Sequence, residues 1–282
     1  MEICMGDYFI VNKQLKPVGA FKEYEQFKGF SIYEILRVEE GVPVFFEDHF
    51  QRFFGALKQR NLFIAENGEE LPDQLVQLLQ GNGVSKGRIK IIVNFYAYPK
   101  HFDYNLLLFF TDYHFPTDEE YDKGIQLGLF NAVRNEPNVK ILDTEVRKRA
   151  NDYIRKKKVY EALLVNENGY ITEGSRSNVF LLKDNFVITP SDNFVLQGIA
   201  RKKVIEICNE NTVECEIRNI HQSELKDYDA AFITGTSLKV LPVKRIDRLE
   251  YSANHELLQF FSKKYNEKLS NYIHEKSHLF HS

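Results

Sequence analysis

The sequence predicts an α/β (α+β) protein built as two domains. Three observations carry that expectation. Its 282 residues exceed the ~100–150 typical of one domain and suit two. Runs rich in aromatic and β-branched residues alternate with segments whose apolar residues recur at helical spacing, the pattern of sheets covered by helices. A polar stretch, Pro116-Thr117-Asp118-Glu119-Glu120-Tyr121-Asp122, then divides the chain. The expected division is a smaller N-terminal domain over 1–115, a linker over 116–123 and a larger C-terminal domain over 124–282.

The first half opens on strands. Tyr8-Phe9-Ile10-Val11 and the run from Phe30 to Arg37 combine aromatic and β-branched residues, with polar turn material between them. Val42-Pro43-Val44-Phe45 leads into Glu47-Asp48-His49, where the period changes. Phe50, Phe53, Phe54 and Leu57 fall on one helical face, and Glu47 and Asp48 suit the positive end of that helix. Arg52 lies off the apolar stripe. A second helix from Leu71 to Leu79 ends in the turn Gly81-Asn82-Gly83. Gly87 to Val93 and Leu106 to Phe110 read as strands.

In the second half Ile125 to Phe130 reads as a strand. Ile141 to Lys158 reads as a charged helix with Val146, Ala150, Tyr153 and Ile154 inward. Its end, Arg155-Lys156-Lys157-Lys158, is the solvated, dipole-favoured C-terminus of a helix rather than a phosphate patch. Strands at Ala162–Val165, Val179–Leu182 and Val187–Thr189 precede a helix from Ala200 to Asn209, and strands follow near Cys215–Arg218 and Ala231–Thr234. Asn254 caps a last helix whose apolar face is Leu257, Leu258 and Phe261, with a tail too polar to pack fully.

Composition excludes several classes. With 43% hydrophobic and 27% charged residues the chain is not disordered. The 37 Lys and Arg against 40 Asp and Glu leave −3, which gives no overall pull on nucleic acid or anionic lipid. Phe 23 and Tyr 15, without Trp, supply a large core that needs no disulfides. Cys4, Cys208 and Cys215 form no C-x-x-C pair and have no histidine at zinc-site spacing, so no metal is expected. The start, MEICMGDYFIV, lacks the pattern of a secretory signal, and no apolar run approaches the ~18 residues of a membrane helix. A soluble, cytoplasmic protein is expected.

Three segments carry chemistry. Lys140 sits between the turn Asn135-Glu136-Pro137-Asn138 and the charged helix, with Val139, Ile141 and Leu142 beside it. Most lysines are solvated surface charges; one drawn into an apolar site loses its proton more readily and becomes nucleophilic. The second segment, Gly169 to Phe180, ends a strand at Glu173 and continues through the small, polar Gly174-Ser175-Arg176-Ser177-Asn178. Such a loop brings N–H groups and hydroxyls close to a bound ring or anion, while its ordinary alternative is a long β-hairpin turn. The third, Gln197-Gly198-Ile199-Ala200-Arg201, opens a helix whose first N–H groups suit a phosphate, and Gly235-Thr236-Ser237 adds hydroxyls after a strand.

The order of these pieces resembles the class IV, fold-type IV pyridoxal-phosphate enzymes: branched-chain and D-amino-acid aminotransferases and aminodeoxychorismate lyase. The resemblance spans nearly the whole chain. Gly29 to Arg37 is similar to G-x-x-x-(F/Y)-E-x-x-R, and His49-Phe50-Gln51-Arg52 to H-x-x-R. Lys140 follows, then Thr172 to Phe180 as T-E-G-x-x-S-N-x-F, Thr189-Pro190, Gly198-Ile199-Ala200-Arg201, and Gly235-Thr236-Ser237 with Leu241-Pro242-Val243. The resemblance implies two domains, each a mixed or antiparallel sheet with packed helices, and pyridoxal 5′-phosphate as cofactor.

It also implies roles. Lys140 would bond the cofactor aldehyde and move the substrate's α-proton. Glu173 would pair with the protonated ring nitrogen. Arg52, the backbone N–H groups of Ile199 and Ala200, and Thr236 would hold the phosphate, with Ser177 and Asn178 beside the ring. Tyr33, Lys90 and Ser237 are the substrate-binding candidates.

The departures from the family pattern bear on substrate. Ala200 stands where the family usually has Thr, and Thr144-Glu145 where some aminotransferases carry a tyrosine. Asn94-Phe95-Tyr96 replaces the Arg-Gly pair of D-specific members and lyases, which leaves Lys90 or Arg88 to hold a carboxylate. Phe95, Tyr96 and Tyr98 suggest a partly apolar pocket. The expected activity is transfer of an amino group from an amino acid to a 2-oxo acid, through pyridoxamine phosphate. The alternative is aminodeoxychorismate lyase, which forms 4-aminobenzoate and pyruvate. Tyr33-Glu34 matches the aminotransferase pattern. Lys140, Glu173 and Arg52 together argue against a non-catalytic scaffold. The family resemblance further implies a homodimer.

Overall fold

The computed structural model describes residues 3–25, 29–66, 68–97, 102–133, 140 and 144–280. The predicted turn at 135–138, Tyr98, and Val139, Ile141 and Leu142 lie outside them. The chain folds as two compact units: Met1–His114 with Val139–Leu142 and Leu269–Ser282, and Phe115–Asn138 with Asp143–Lys268. Lys140 and the last residues of the chain thus belong to the first unit, which a single cut along the sequence does not anticipate.

The first unit is built on an antiparallel sheet of β1 (Cys4–Val11), β2 (Gln14–Pro17), β3 (Gly29–Glu39), β4 (Val42–Pro43), β5 (Gly87–Ala97) and β6 (Phe102–Thr111). Its order is β2-β1-β6-β5-β3-β4. β5 is buried on both faces: its residues from Ile89 to Phe95 are all buried, the polar Lys90 and Asn94 among them. Pairing sets Tyr33 opposite Ile92 and Ile35 opposite Lys90. Tyr33 and Ile92 therefore join Phe9, Val11, Phe21, Leu107 and Phe109 in one cluster. Residues one step along each strand turn to the opposite face. Glu34 is one of them.

Three helices complete this unit's first 114 residues: α1 (Lys22–Glu25), α2 (Phe46–Gln59) and α3 (Leu71–Asn82). α2 buries Phe46, His49, Phe50, Phe53, Ala56 and Leu57, with Glu47 and Asp48 in its first turn. Phe54 is only half-buried. α3 runs through Gly81, which the sequence placed in a turn. The break comes at Gly83, whose φ of 60° closes the helix.

The second unit carries a ten-stranded mixed sheet. Its strands are β7 (Ile125–Asn131), β8 (Glu161–Val165), β9 (Tyr170–Gly174), β10 (Asn178–Lys183), β11 (Phe186–Pro190), β12 (Glu214–Arg218), β13 (Ile220–His221), β14 (Ala230–Gly235), β15 (Lys239–Ile246) and β16 (Leu249–Glu250). The order is β12-β11-β10-β14-β15-β7-β8-β9-β13, with β16 on β15. The pairs β11–β12, β15–β7 and β7–β8 are parallel. α4 (Asp118–Lys123), α5 (Thr144–Lys157) and α6 (Ile199–Glu210) belong to it, and α7 (Glu256–Phe280) begins there.

The polar stretch read as linker folds instead as α4. Thr117 accepts the Glu120 N–H, and the Glu120 carboxylate accepts the Thr117 N–H, a capping box that the S/T-x-x-E spacing encodes. The tail of α7 also departs from expectation, since Leu269, Ile273 and Phe280 are buried. The Phe280 ring meets Phe46 edge-on at 5.5 Å. Its polar composition hides an apolar stripe at helical spacing.

The connection from β9 to β10 is not a hairpin. Five inter-strand steps separate the two in the sheet, about 24 Å if it were flat. The chain from Gly174 to Asn178 reaches at most ~15 Å. The sheet therefore curls until β9 lies beside β10, a contact that the structure contains. Leu127, Leu163, Ile171, Val179, Ile233 and Leu241 lie in the core cluster of this unit. Phe180 and Phe232, stacked at 4.9 Å, face the other way, and Phe261 of α7 packs on Phe232. The curl brings the loop over residues 174–178 beside Leu196, Gly198 and Gly235.

Candidate functional site

In the first unit Lys140 lies at the edge of β3, where its carbonyl accepts the Tyr33 N–H at 3.2 Å. Its Nζ is 5.5 Å from the centre of the Tyr33 ring, and Lys90 Nζ is 4.8 Å from the same centre. Two ammonium groups therefore share the negative face region of one ring. Tyr33 and Lys90 are both buried. Beside them the Ser31 hydroxyl donates to Asn94 Oδ1 at 2.6 Å.

On the other side of β3 Glu34 receives α2. Arg52 binds its carboxylate through Nε and Nη2, each at 2.7 Å, and His49 Nδ1 lies 2.8 Å from Oε2. His49 and Arg52 share a helix face because they are three residues apart. Glu34 and His49 are each 1% exposed, against 15% for the Arg52 side chain. Burial by itself raises the Glu34 pKa; the charges of Arg52 and Lys140 and the bonds from His49 and Arg52 outweigh it, so the carboxyl stays ionised well below the usual range. Burial pushes His49 down, against the pull of Glu34, so its neutral Nδ1–H form is the one that donates. Arg52 is thus presented by a buried carboxylate. The sequence pattern contains Glu34 and His49, yet nothing in it reveals that Glu34 holds both His49 and Arg52.

In the second unit Glu173, near the end of β9, is buried, and its Oε2 accepts the Leu196 N–H at 2.9 Å. Asn178 Nδ2 donates to the Leu196 carbonyl at 2.9 Å. One residue, Leu196, is therefore held through both its backbone groups by the two ends of the crossing loop. It was missed because only its backbone acts. Glu173 opens on a cleft of about 130 Å³ lined also by Thr172, Asn166, Phe194 and Val133.

The segment after Leu196 enters α6 at Gly198, which offers no side-chain cap. The N–H groups of Ile199 and Ala200 in the first turn have no partner within the helix. Arg201 is structural: it bonds the Pro190 carbonyl at 3.0 Å and Asp192 at 2.7 Å. Thr236 and Ser237 occupy the half-buried turn between β14 and β15. A Cβ added to Gly235 would lie 3.7 Å from the Arg176 carbonyl, which puts this turn against the crossing loop. Ser177 and Asn178 use their side chains inside the protein, on Glu161 and on Leu196.

These residues fit a phosphorylated pyridine aldehyde. In the second unit an oriented buried carboxylate suits the ring nitrogen, and a helix N-terminus suits the phosphate. Gly198 marks how closely the backbone must approach. Its φ of −65° suits any residue, but a Cβ would come within 2.1 Å of Asn178 Oδ1. Gly198→Ala is expected to weaken pyridoxal-phosphate binding by about tenfold, the effect of overpacking worth roughly 1–3 kcal/mol. A spectrophotometric titration of the purified variant measures it. Wild-type affinity would show that this contact is dispensable.

Among the described residues no helix is long and apolar enough to cross a membrane, and no group of three or more His, Cys, Asp or Glu side chains is placed to hold a metal. Comparison with known proteins identifies the family. The chain is 31% identical over 242 residues to a probable branched-chain-amino-acid aminotransferase of Aquifex aeolicus, which covers 78% of this chain and 75% of that one. It is 28% identical over 226 residues to a D-alanine aminotransferase of Bacillus licheniformis, covering 78% and 80%. An aminodeoxychorismate lyase of Bacillus subtilis is 25% identical over 266 residues, covering 88% of each chain. The fold matches the branched-chain amino acid aminotransferase of Escherichia coli with a TM-score of 0.84 at 18% identity, over 94% of this chain and 95% of that one. The family model described as amino-transferase class IV matches residues 31–246, and the chain belongs to that family.

Proposed function

We propose that the protein is an aminotransferase that moves an amino group from an amino acid to a 2-oxo acid, with pyridoxal 5′-phosphate as cofactor. The observation that carries this reading is Glu173, a buried carboxylate oriented by a backbone N–H and opening on a cleft. Bound, the cofactor supplies an aldehyde for the amino group and a protonated ring that draws electrons as the α-proton leaves. Glu173 keeps the proton on the ring nitrogen. Lys140 would supply the amine that holds the aldehyde and would carry the α-proton. Arg52, held by Glu34, binds the phosphate with Thr236 and the N–H groups of Ile199 and Ala200; Ser177 and Asn178 shape the loop at the ring. Tyr33, Lys90 and Ser237 receive the substrate. Between the two cations considered for its carboxylate, Lys90 is favoured, because its Nζ lies 4.8 Å from the centre of the Tyr33 ring that Lys140 Nζ also approaches, at 5.5 Å.

The second reading, aminodeoxychorismate lyase, is supported by the similarity to the Bacillus subtilis enzyme over 88% of both chains. Absorbance of the cofactor-loaded protein decides between them. Under the first reading one group of L- or D-amino acids bleaches the visible band. A band that no amino acid bleaches, with pyruvate released from aminodeoxychorismate, makes the protein a lyase. We further propose a cytoplasmic homodimer; a monomeric mass by light scattering at full activity overturns the dimer.

A further inference from the structure

The crossing loop between β9 and β10 has no ladder of its own, because its two flanking strands are paired elsewhere. One side chain takes the largest share in holding it. Glu161, the first residue of β8, is 3% exposed, and its Oε1 is the acceptor for three consecutive residues. The Arg176 N–H donates to it at 2.5 Å, the Ser177 hydroxyl at 3.1 Å and the Ser175 hydroxyl at 3.4 Å. The Ser175 N–H adds a bond to the Ala162 carbonyl at 2.9 Å. The fit is close: a Cβ on Gly174 would stand 2.6 Å from Glu161 Oε1 and 2.1 Å from Ser177 Oγ.

We propose that Glu161 is a positioning residue of the cofactor site, whose carboxyl fixes Ser175-Arg176-Ser177 and so sets Glu173 and Asn178 at the two ends of the loop. The proposal rests on the cofactor reading given above. The loop is the whole connection between Glu173, which holds the Leu196 N–H, and Asn178, which holds the Leu196 carbonyl and packs over Gly198. Removing the common acceptor strands one N–H and two hydroxyls at once, and the loop must find another path. Both clamps on Leu196, and the approach to the α6 N-terminus, then move. Burial raises the Glu161 pKa against the bonds it accepts, so a neutral amide is a fair replacement for its shape and acceptor oxygen.

The test compares Glu161→Ala and Glu161→Gln with Leu225→Ala, a truncation in the core cluster of the same unit at a residue that makes none of the bonds described for the loop. Each purified protein is titrated with pyridoxal phosphate, the position of its Lys140-dependent absorption band is recorded, and melting is followed without cofactor. Glu161→Ala is expected to raise the dissociation constant by about tenfold or more and to shift the band, as loss of several buried partners implies. Glu161→Gln is expected to restore affinity to within about threefold. Leu225→Ala is expected to lower the melting temperature while leaving the band and affinity in place.

Wild-type affinity and an unmoved band in Glu161→Ala overturn the proposal. So does a loss in all three variants that simply follows the melting temperature. Absence of a Lys140-dependent band in the wild-type protein overturns the cofactor reading itself, and this proposal with it, which separates the two failures.

Discussion

Lys140→Ala is expected to abolish the visible absorption band of the cofactor-loaded protein and to lower turnover by at least about 10³-fold. General acid–base catalysis alone contributes ~10²–10⁴-fold, and the same amine is also assigned the bond to the aldehyde. The fold should survive. Lys140 is held at β3 through its carbonyl, a backbone bond that alanine keeps, and its side chain is half-buried rather than in the core. Its charge attracts Glu34 and disfavours the charged form of His49. Lys140→Arg preserves that attraction but not the nucleophile, and is expected to be as inactive as Lys140→Ala while melting like the wild type. Single-turnover rates with the amino acids that bleach the wild-type band provide the measurement. An alanine variant that retains a tenth of the wild-type rate would remove Lys140 from the chemistry.

The residues that make this test possible were readable because their signals are local. Lys140, the run from Thr172 to Phe180, and Gly198 to Arg201 each announce themselves by type and order, and α2 by the helical spacing of its phenylalanines. What was not readable depends on contacts between distant segments. Glu161 opens an apolar strand like any other, and only the curl of the sheet brings residues 175–177 to its carboxylate. The same curl turned an apparent hairpin into a crossing. β15 was hidden by Pro242, which lacks a ladder donor and argues against an interior strand, although its neighbours pair with both β14 and β7. The return of Lys140 to the first unit leaves no mark in composition at all.

Glu34→Ala should be the most destabilising of the substitutions considered. It leaves the Arg52 guanidinium and the buried His49 ring around a void where a carboxylate stood, and breaking one side of a buried pair costs about 3–5 kcal/mol. For a chain of this size that lowers the melting temperature by on the order of 10 °C. The pH dependence gives a second, independent readout. Because the folded-state pKa of Glu34 is depressed, its contribution is complete above the ordinary glutamate range and is lost as pH falls through the folded value. Wild-type protein should therefore lose stability on acidification more steeply than Glu34→Gln, whose amide does not titrate. Replacing Glu34 by Leu and Arg52 by Met together is expected to recover part of the stability, since an apolar pair of similar volume can substitute for a buried ion pair while the buried His49 Nδ1–H stays without its acceptor. It should not recover pyridoxal-phosphate affinity, because the guanidinium assigned to the phosphate is gone. Thermal melts from about pH 2 to 6, run beside cofactor titrations, separate the two roles. If the double variant binds the cofactor as tightly as the wild type, Glu34 and Arg52 serve the fold alone.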